Sequence, residues 1–193
     1  LRRNYGGSDP LGQRVTNLVD STDITIVPLM KPDGRELARR SNANWVNLNR
    51  AFPEGTQTNL GNVLEGPPMD LAGREPEVQA VMEWSAENRF TLSANFHGGA
   101  LVVNYPYDND GLGDHYSASP DDDLFIEISR SYSVHNEPMW NSFWFDDGIT
   151  NGAEWYSIDG GLQDWAYRYL GDNHVTIELS DSDWPSESLL PAY

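Results

Sequence analysis

Apolar and polar positions alternate in blocks along this chain, and the spacing within each block predicts an element. Val15 to Val19 reads as a short helix, broken by Ser21-Thr22. Ile24 to Leu29, an apolar and β-branched run, reads as a buried strand. Lys31 to Thr58 is polar and rich in Gly, Asn and Arg; it is too long for a plain connection and reads as a functional loop or a disordered one. From Glu75 to Asn88, Val78, Val81, Met82 and Trp84 fall near helical spacing behind an acidic first turn. Phe90 to Phe96 and Leu101 to Tyr105 read as strands, and Asp121 to Val134 as a helix with Ser119 and Pro120 as cap and first-turn residue. Gln163 to Leu170 reads as helix and His174 to Leu179 as strand. Strands alternating with helices predict an α/β fold with a mixed, mainly parallel twisted sheet flanked by helices.

Composition narrows the classes. A chain of 193 residues with 38% apolar content and seven Trp is long and apolar enough for one folded domain. No apolar run reaches the roughly 18 residues of a membrane span, and no secretory signal is visible, although the chain opens on Leu1 rather than Met. Cysteine is absent, so disulfides and thiolate metal sites are excluded and a metal must use His, Asp, Glu or water. The net charge of −18, with Lys31 the single lysine, repels phosphate backbones and argues against nucleic acid as a partner. Clusters such as Asp121-Asp122-Asp123 read as solvated surface. Excess Asp with almost no Lys also suits high salt, and a negative field favours cationic substrates.

Four groups could carry chemistry. His97 ends an apolar run and precedes Gly98-Gly99, the arrangement that puts an imidazole at the carboxyl edge of a sheet; the alternative is a satisfied structural histidine. Arg40 and Arg50 lie in a polar loop where no short-range acid obviously pairs them, and suit a carboxylate or an oxyanion, or are ordinary surface arginines. Trp155 to Trp165 places aromatics around Gly160-Gly161, as in a loop that closes on a ligand or a turn with core aromatics. Glu178 sits in an apolar strand, where it is either a buried general base or an outward-facing carboxylate.

Taken together, these stretches resemble the M14 zinc metallocarboxypeptidases, and within them the carboxypeptidase N/E/D-like branch. The matching segments are PDG at 32–34, NANWVNLNRAFP at 42–53, SANFHGGALVVNYPYD at 93–108, YSASPDD at 116–122, GITNGAEWY at 148–156, GGLQDW at 160–165 and VTIEL at 175–179, in family order. The resemblance implies a partial catalytic domain over residues 1–193 that removes a C-terminal residue from peptides or protein C-termini. It implies a Zn2+ cofactor held by two histidines and a glutamate, with His97 as the last ligand and Glu178 as the general base for attack by a zinc-bound water. Arg40 matches the arginine that stabilises the oxyanion, Asn49 and Arg50 the pair that grips the terminal carboxylate, and Tyr156 the tyrosine that folds over the bound residue. Asp108 and Gln163 match positions lining the pocket of the branch that prefers C-terminal Arg or Lys. A secreted or periplasmic setting is also implied.

The pattern breaks in places. None of His97, His115, His135 or His174 has Glu three residues on, so the family's first zinc motif, H-x-x-E, is missing and one of three expected ligands remains. The expectation is a fragment that begins after that motif and stops before the family's last helix, inactive by itself and marginal in stability. Asn47 stands where the family has an Asp that orients a zinc-ligating histidine, and Ala51 replaces an Asn beside the carboxylate-binding pair. Two other readings remain: an inert carboxypeptidase-like domain that binds peptide C-termini, and a zinc amidohydrolase on the same fold.

Overall fold

The computed structural model describes residues 3–53 and 70–192; the 54–58 part of the polar stretch expected as a loop lies outside the described residues. The chain divides into two compact units, residues 1–32 and 33–193. In the first, helix α1 spans Pro10–Ser21, longer than the expected Val15 to Val19. Its start is a signal the apolar spacing could not carry: Asp9 caps it by accepting the Gly12 N–H at 2.6 Å, with Pro10 in the first turn. The strand expected at Ile24 to Leu29 is not formed. Ile24, Ile26, Val27 and Leu29 lie in irregular chain and are exposed. The described part of this unit holds no strand with which such a run could share a ladder, and propensity without a partner does not make a strand.

The second unit is built on a four-stranded sheet. Helix α2 is Pro32–Glu36, α3 is Pro76–Asn88, β1 is Leu92–His97 and β2 is Ala100–Tyr105. Helix α4 spans Asp122–Ser133, α5 Glu137–Trp140, β3 Ile149–Asn151, α6 Gly152–Trp155, α7 Leu162–Leu170 and β4 Asn173–Ser180. The spacing arguments for α3, α4, α7, β2 and β4 hold to within two residues, with Asp121 rather than Ser119 at the cap position of α4. The polar 31–53 stretch is ordered by α2 and a 3-10 turn at Leu48–Arg50. The short β3, α5 and α6 are too brief to leave a periodic signal.

The strand order is β1-β4-β2-β3. β1 runs parallel to β4, β3 parallel to β2, and β4 antiparallel to β2. β1 and β2 are joined by two residues, yet they do not pair; β4 inserts between them. That connection needs Gly98-Gly99. Gly99 has φ +116°, and a Cβ on Gly98 would sit 3.1 Å from the Ser182 carbonyl oxygen.

One face of the sheet carries the core: Leu101, Val103 and Tyr105 of β2 and Val175 and Ile177 of β4 pack with Phe125 and Met139. The opposite face of β4 carries His174, Thr176, Glu178 and Ser180, all buried. β1 alternates the same way: Ser93, Asn95 and His97 are half-buried, while Leu92 and Phe96 are 59% exposed, more open than an apolar run predicts. The segments beyond β2 and β3 are joined by backbone bonds, among them Ala153 N–H to the Tyr107 carbonyl at 2.8 Å, and by one fully buried side chain. Asn151 donates Nδ2–H to the carbonyls of Pro106 and Ser117, and its Oδ1 accepts the N–H groups of Ser117 and Glu154.

Replacing Asn151 with Ala strands several of these partners in a buried site, so a loss of about 3 kcal/mol or more is expected in denaturant unfolding. A loss below about 1 kcal/mol would show that the backbone bonds hold the segments without the amide.

Candidate active site

Two clusters of polar residues lie on the site face of the second unit. The first is at the carboxyl ends of β1 and β4. Parallel register sets His97 directly beside Glu178, and His97 Nδ1 lies 3.8 Å from Glu178 Oε1. Glu178 is 7% exposed, and its Oε2 is buried with no hydrogen-bond partner. Burial pushes the Glu178 carboxyl up to about 7, against a pull downward from the Arg40 guanidinium and a push upward from Asp183. The alternative of an outward-facing Glu178 is thereby overturned. A carboxyl near 7 with an orphaned oxygen can accept and return a proton at neutral pH.

His97 stands at the end of β1 with both ring nitrogens near polar neighbours. Its Nε2 lies 2.7 Å from the Asn95 amide, so one ring nitrogen faces the neighbouring strand residue and the other faces the acid. Zinc is the metal the family resemblance implies, and His97 suits it as one donor. Among the described residues, however, no group of three His, Cys, Asp or Glu side chains could hold a metal.

The second cluster surrounds Asp108, which is 2% exposed. Its Oδ1 accepts Gln163 Nε2–H at 2.8 Å and Asn104 Nδ2–H at 3.1 Å. Two glycines make room for the carboxylate: a Cβ on Gly152 would sit 2.1 Å from Oδ1, and one on Gly161 2.7 Å from Oδ2. The Asp108 backbone N–H donates to Asp164 Oδ1 at 2.8 Å, and its carbonyl accepts the Ile158 N–H at 3.1 Å. Arg168 holds the same turn from below. It donates to the Asn109 carbonyl, lies 3.5 Å from Asp164 Oδ2, and sets its guanidinium 4.1 Å from the centre of the Tyr107 ring.

The 42–52 segment is tied to this cluster. Asn49 Oδ1 accepts the Leu162 N–H at 2.9 Å at the start of α7, and the Phe52 N–H donates to the Gly160 carbonyl at 3.2 Å. Gly160, at φ +69°, lies against the Arg50 backbone, where a Cβ would come within 2.7 Å. Arg50 Nη1 donates to the Asn49 carbonyl at 2.6 Å. Asn47 accepts the Asn49 N–H at 3.2 Å and starts the 3-10 turn. Tyr156 closes α6, is 40% exposed and stacks edge-on against Trp155 at 4.7 Å.

The structure therefore brings His97, Glu178 and Arg40 together, and joins Asn49 and Arg50 to Asp108 and Gln163 through residues 160–163. Sequence reasoning missed Asn95, Asn104, Asp164, Arg168 and His174. Only Asn104 left a usable signal: it lies four residues before Asp108, at the end of an otherwise apolar strand.

Residues 3–193 match the zinc carboxypeptidase family, Peptidase M14. The chain is 43% identical to Carboxypeptidase SOL1 of Arabidopsis thaliana over 94% of this chain and 35% of that protein. It is 42% identical to Carboxypeptidase D of Anas platyrhynchos over 100% of this chain and 14% of that one. To the Carboxypeptidase N catalytic chain of Mus musculus it is 39% identical over 92% and 46%. The chain thus spans less than half the length of each of these relatives. Among solved structures it resembles thrombin activatable fibrinolysis inhibitor, with TM-score 0.59 and 24% identity over 87% of this chain and 45% of that one. It also resembles a carboxypeptidase A from Helicoverpa armigera, with TM-score 0.57 and 18% identity over 88% and 48%. These two likenesses speak for the fold.

The raised Glu178 value makes a pH prediction. The folded value is about 7 and the ordinary one 4.5, so the folded state binds more protons between them. The Glu178 contribution to stability is then full below about 4.5, is lost as pH rises toward about 7 and stays lost above, by up to an order of 3 kcal/mol. Glu178→Gln should remove that fall, leaving the variant more stable than the parent above neutrality. Carboxyl-carbon NMR reads the site directly, and a Glu178 titration near 4.5 would contradict the burial argument.

Proposed function

The chain belongs to the zinc carboxypeptidase family, Peptidase M14, and we propose that it is part of a metallocarboxypeptidase catalytic domain that removes C-terminal Arg or Lys from peptides. The observation that carries this reading is the buried Asp108, held in place by Gln163, Asn104 and two glycines and connected through residues 160–163 to Asn49 and Arg50. In this reading the Arg50 fork and the Asn49 amide receive the terminal carboxylate, which makes the activity that of an exopeptidase. A guanidinium or ammonium on the last side chain meets the Asp108 charge, fixed in a site where water screens it little. Tyr156, on an exposed turn beside Trp155, covers the bound residue.

At the other cluster, Glu178 takes a proton from the attacking water and returns it to the leaving amine; a carboxyl near 7 suits both transfers. Arg40, close enough to lower the Glu178 value, supplies positive charge for the developing oxyanion. Zinc, when bound, would supply Lewis-acid polarisation of the substrate carbonyl. The carboxypeptidase N and D relatives support the carboxypeptidase part of the reading by name.

A second reading has its own support. The acid pocket and the Asn49–Arg50 pair are assembled here, while no three-ligand metal group exists among the described residues. Residues 1–193 alone would then bind peptide C-termini without cutting them. Zinc titration tests this: weak, substoichiometric binding by this stretch is expected with His97 as the one ligand, and tight 1:1 binding overturns it.

For the full-length protein, kinetics on otherwise identical peptides ending in Arg and in Phe give the substrate test. The Arg peptide should be cut faster, and Asp108→Asn should cut that preference by at least 10-fold, about 1.4 kcal/mol. Faster cleavage of the Phe peptide sinks the basic-residue assignment.

A further inference from the structure

Past the end of the β2–β4 ladder lies a concave surface that the reaction proposed above does not use. A cavity of about 490 Å³ is lined by Gly99, Ala100, Trp144, Phe145, Trp155 and Asp181, within the roughly 300–1,000 Å³ of small-ligand sites. Its walls are largely aromatic. Phe143 and Trp144 are 90% and 78% exposed and meet edge-on at 5.2 Å. Phe145 stands edge-on to Trp155 at 5.2 Å, and Trp155 to Tyr156 at 4.7 Å. A single exposed ring is ordinary, but rings grouped at a cavity mark a binding surface.

The chemistry of the lining says what would bind. Asp181 is the one charged residue in it and is exposed. Among the described residues no cation pairs with Asp181. Nor does any of their arginines lie over Trp144 or Trp155, although Arg35, Arg39 and Arg168 each cover a ring elsewhere. Ring faces attract cations and a carboxylate pairs with them, so the combination selects a guanidinium or an ammonium. An anionic side chain would meet Asp181 and a net charge of −18. The walls are also fixed before anything binds. The Trp144 N–H donates to Ser142 Oγ at 3.3 Å, the Gly148 N–H to the Phe145 carbonyl at 3.0 Å, and Arg130 Nε to Asp147 Oδ2 at 3.0 Å. On the other side the Gly99 N–H donates to the Ser180 carbonyl at 2.7 Å and Ser180 Oγ to the Ser182 carbonyl at 2.8 Å. Preordered walls lose little freedom when a ligand arrives.

Register places the cavity relative to Glu178. Ala100 pairs with Ser180 on the last rung of the β2–β4 ladder, and Val102 pairs with Glu178. Asp181 follows Glu178 by three residues, about 10 Å along extended chain. A peptide residue covers about 3.3–3.6 Å. A peptide with its last residue at Asp108 and its scissile bond at Glu178 therefore brings its second or third upstream residue within reach of Asp181. We propose that the cavity between Asp181 and the Trp144, Phe145 and Trp155 rings is a subsite for a lysine or arginine side chain on the second or third residue upstream of the bond cut. This placement rests on the carboxypeptidase reading given above.

The test uses the full-length protein and a set of peptides that end in Arg. One carries Ala at every upstream place, and the others carry a single Lys at the first, second or third residue upstream of the scissile bond. Lys at the second or third place should raise kcat/KM about 5-fold over the Ala peptide. Asp181→Asn and Trp144→Ala should each remove most of that gain. Both side chains are exposed, and a general loss of folded protein slows all peptides alike and leaves the ratio where it was. Norleucine in place of Lys keeps a long side chain without its charge. A norleucine peptide cut as fast as the Lys peptide, a gain confined to the first place, no gain at any place, or a gain indifferent to both variants would each overturn the proposal. If nothing is cut, the same peptides, labelled at the amino end, are ranked by Kd in fluorescence anisotropy and the same ratios decide. Lys-dependent binding that ignores whether the peptide ends in Arg or in Phe supports the subsite and counts against the basic-residue specificity proposed above. Cutting of the Arg-ending Ala peptide with no gain from Lys counts against the subsite alone, and a protein that neither cuts nor binds any of the set overturns both.

Discussion

The double pairing of β4 is the constraint on which the rest depends. It is the interior strand that bonds to β1 in parallel and to β2 in antiparallel fashion. The first ladder sets His97 beside Glu178 and Asn95 beside Thr176; the second sets Val102 beside Glu178 and Asn104 beside Thr176. Because side chains alternate, one face of β4 carries Val175 and Ile177 into the core and the other carries His174, Thr176 and Glu178 to the site. A slip of one residue would exchange the two faces, placing a carboxylate in the apolar core. Register and chemistry are thus one choice, enforced by the cost of burying the wrong face.

The two buried acids show how environment divides labour between like groups. Glu178 is dried by burial, keeps one oxygen without a partner and is pushed up to about 7. Asp108 is more deeply buried, yet it receives two amide N–H groups and is seated by a backbone bond to Asp164. One keeps an oxygen without a partner in a dried site; the other is held in place by amide donors. The glycines at 152 and 161 matter because any larger residue would stand where the Asp108 carboxylate is.

Much of the site could be read along the chain. His97, Glu178, Arg40, Asn49, Arg50, Asp108, Gln163 and Tyr156 lie in short stretches whose residue types and order are distinctive; the fold sets the first three near one another and links the next four through residues 160–163. The supporting residues could not be read so. Asn95 and His174 are far apart in sequence and meet only because β1 and β4 run side by side. Asp164 and Arg168 look like one exposed helical pair, and only the packing of α7 under residues 107–109 shows them to be buried. Ile24 to Leu29 erred in the opposite direction. Its β-branched run carries strand propensity, but a strand is a relation between two segments, and pairing is not written in either one.

Local rules therefore determined the helices, where apolar spacing and caps act within a few residues: α3 and α4 follow from such patterns, and α1 from Asp9 and Pro10 once the cap is noticed. They also determined which side chains could do chemistry, since that depends on residue type. The tertiary structure alone decided that β4 passes between two strands joined by only two residues. It decided as well that Glu178 faces a histidine rather than solvent, and that Asp108 is walled by amides. The reason is physical: ladder partners and desolvation depend on groups brought together from distant parts of the chain, and no window along the sequence contains both.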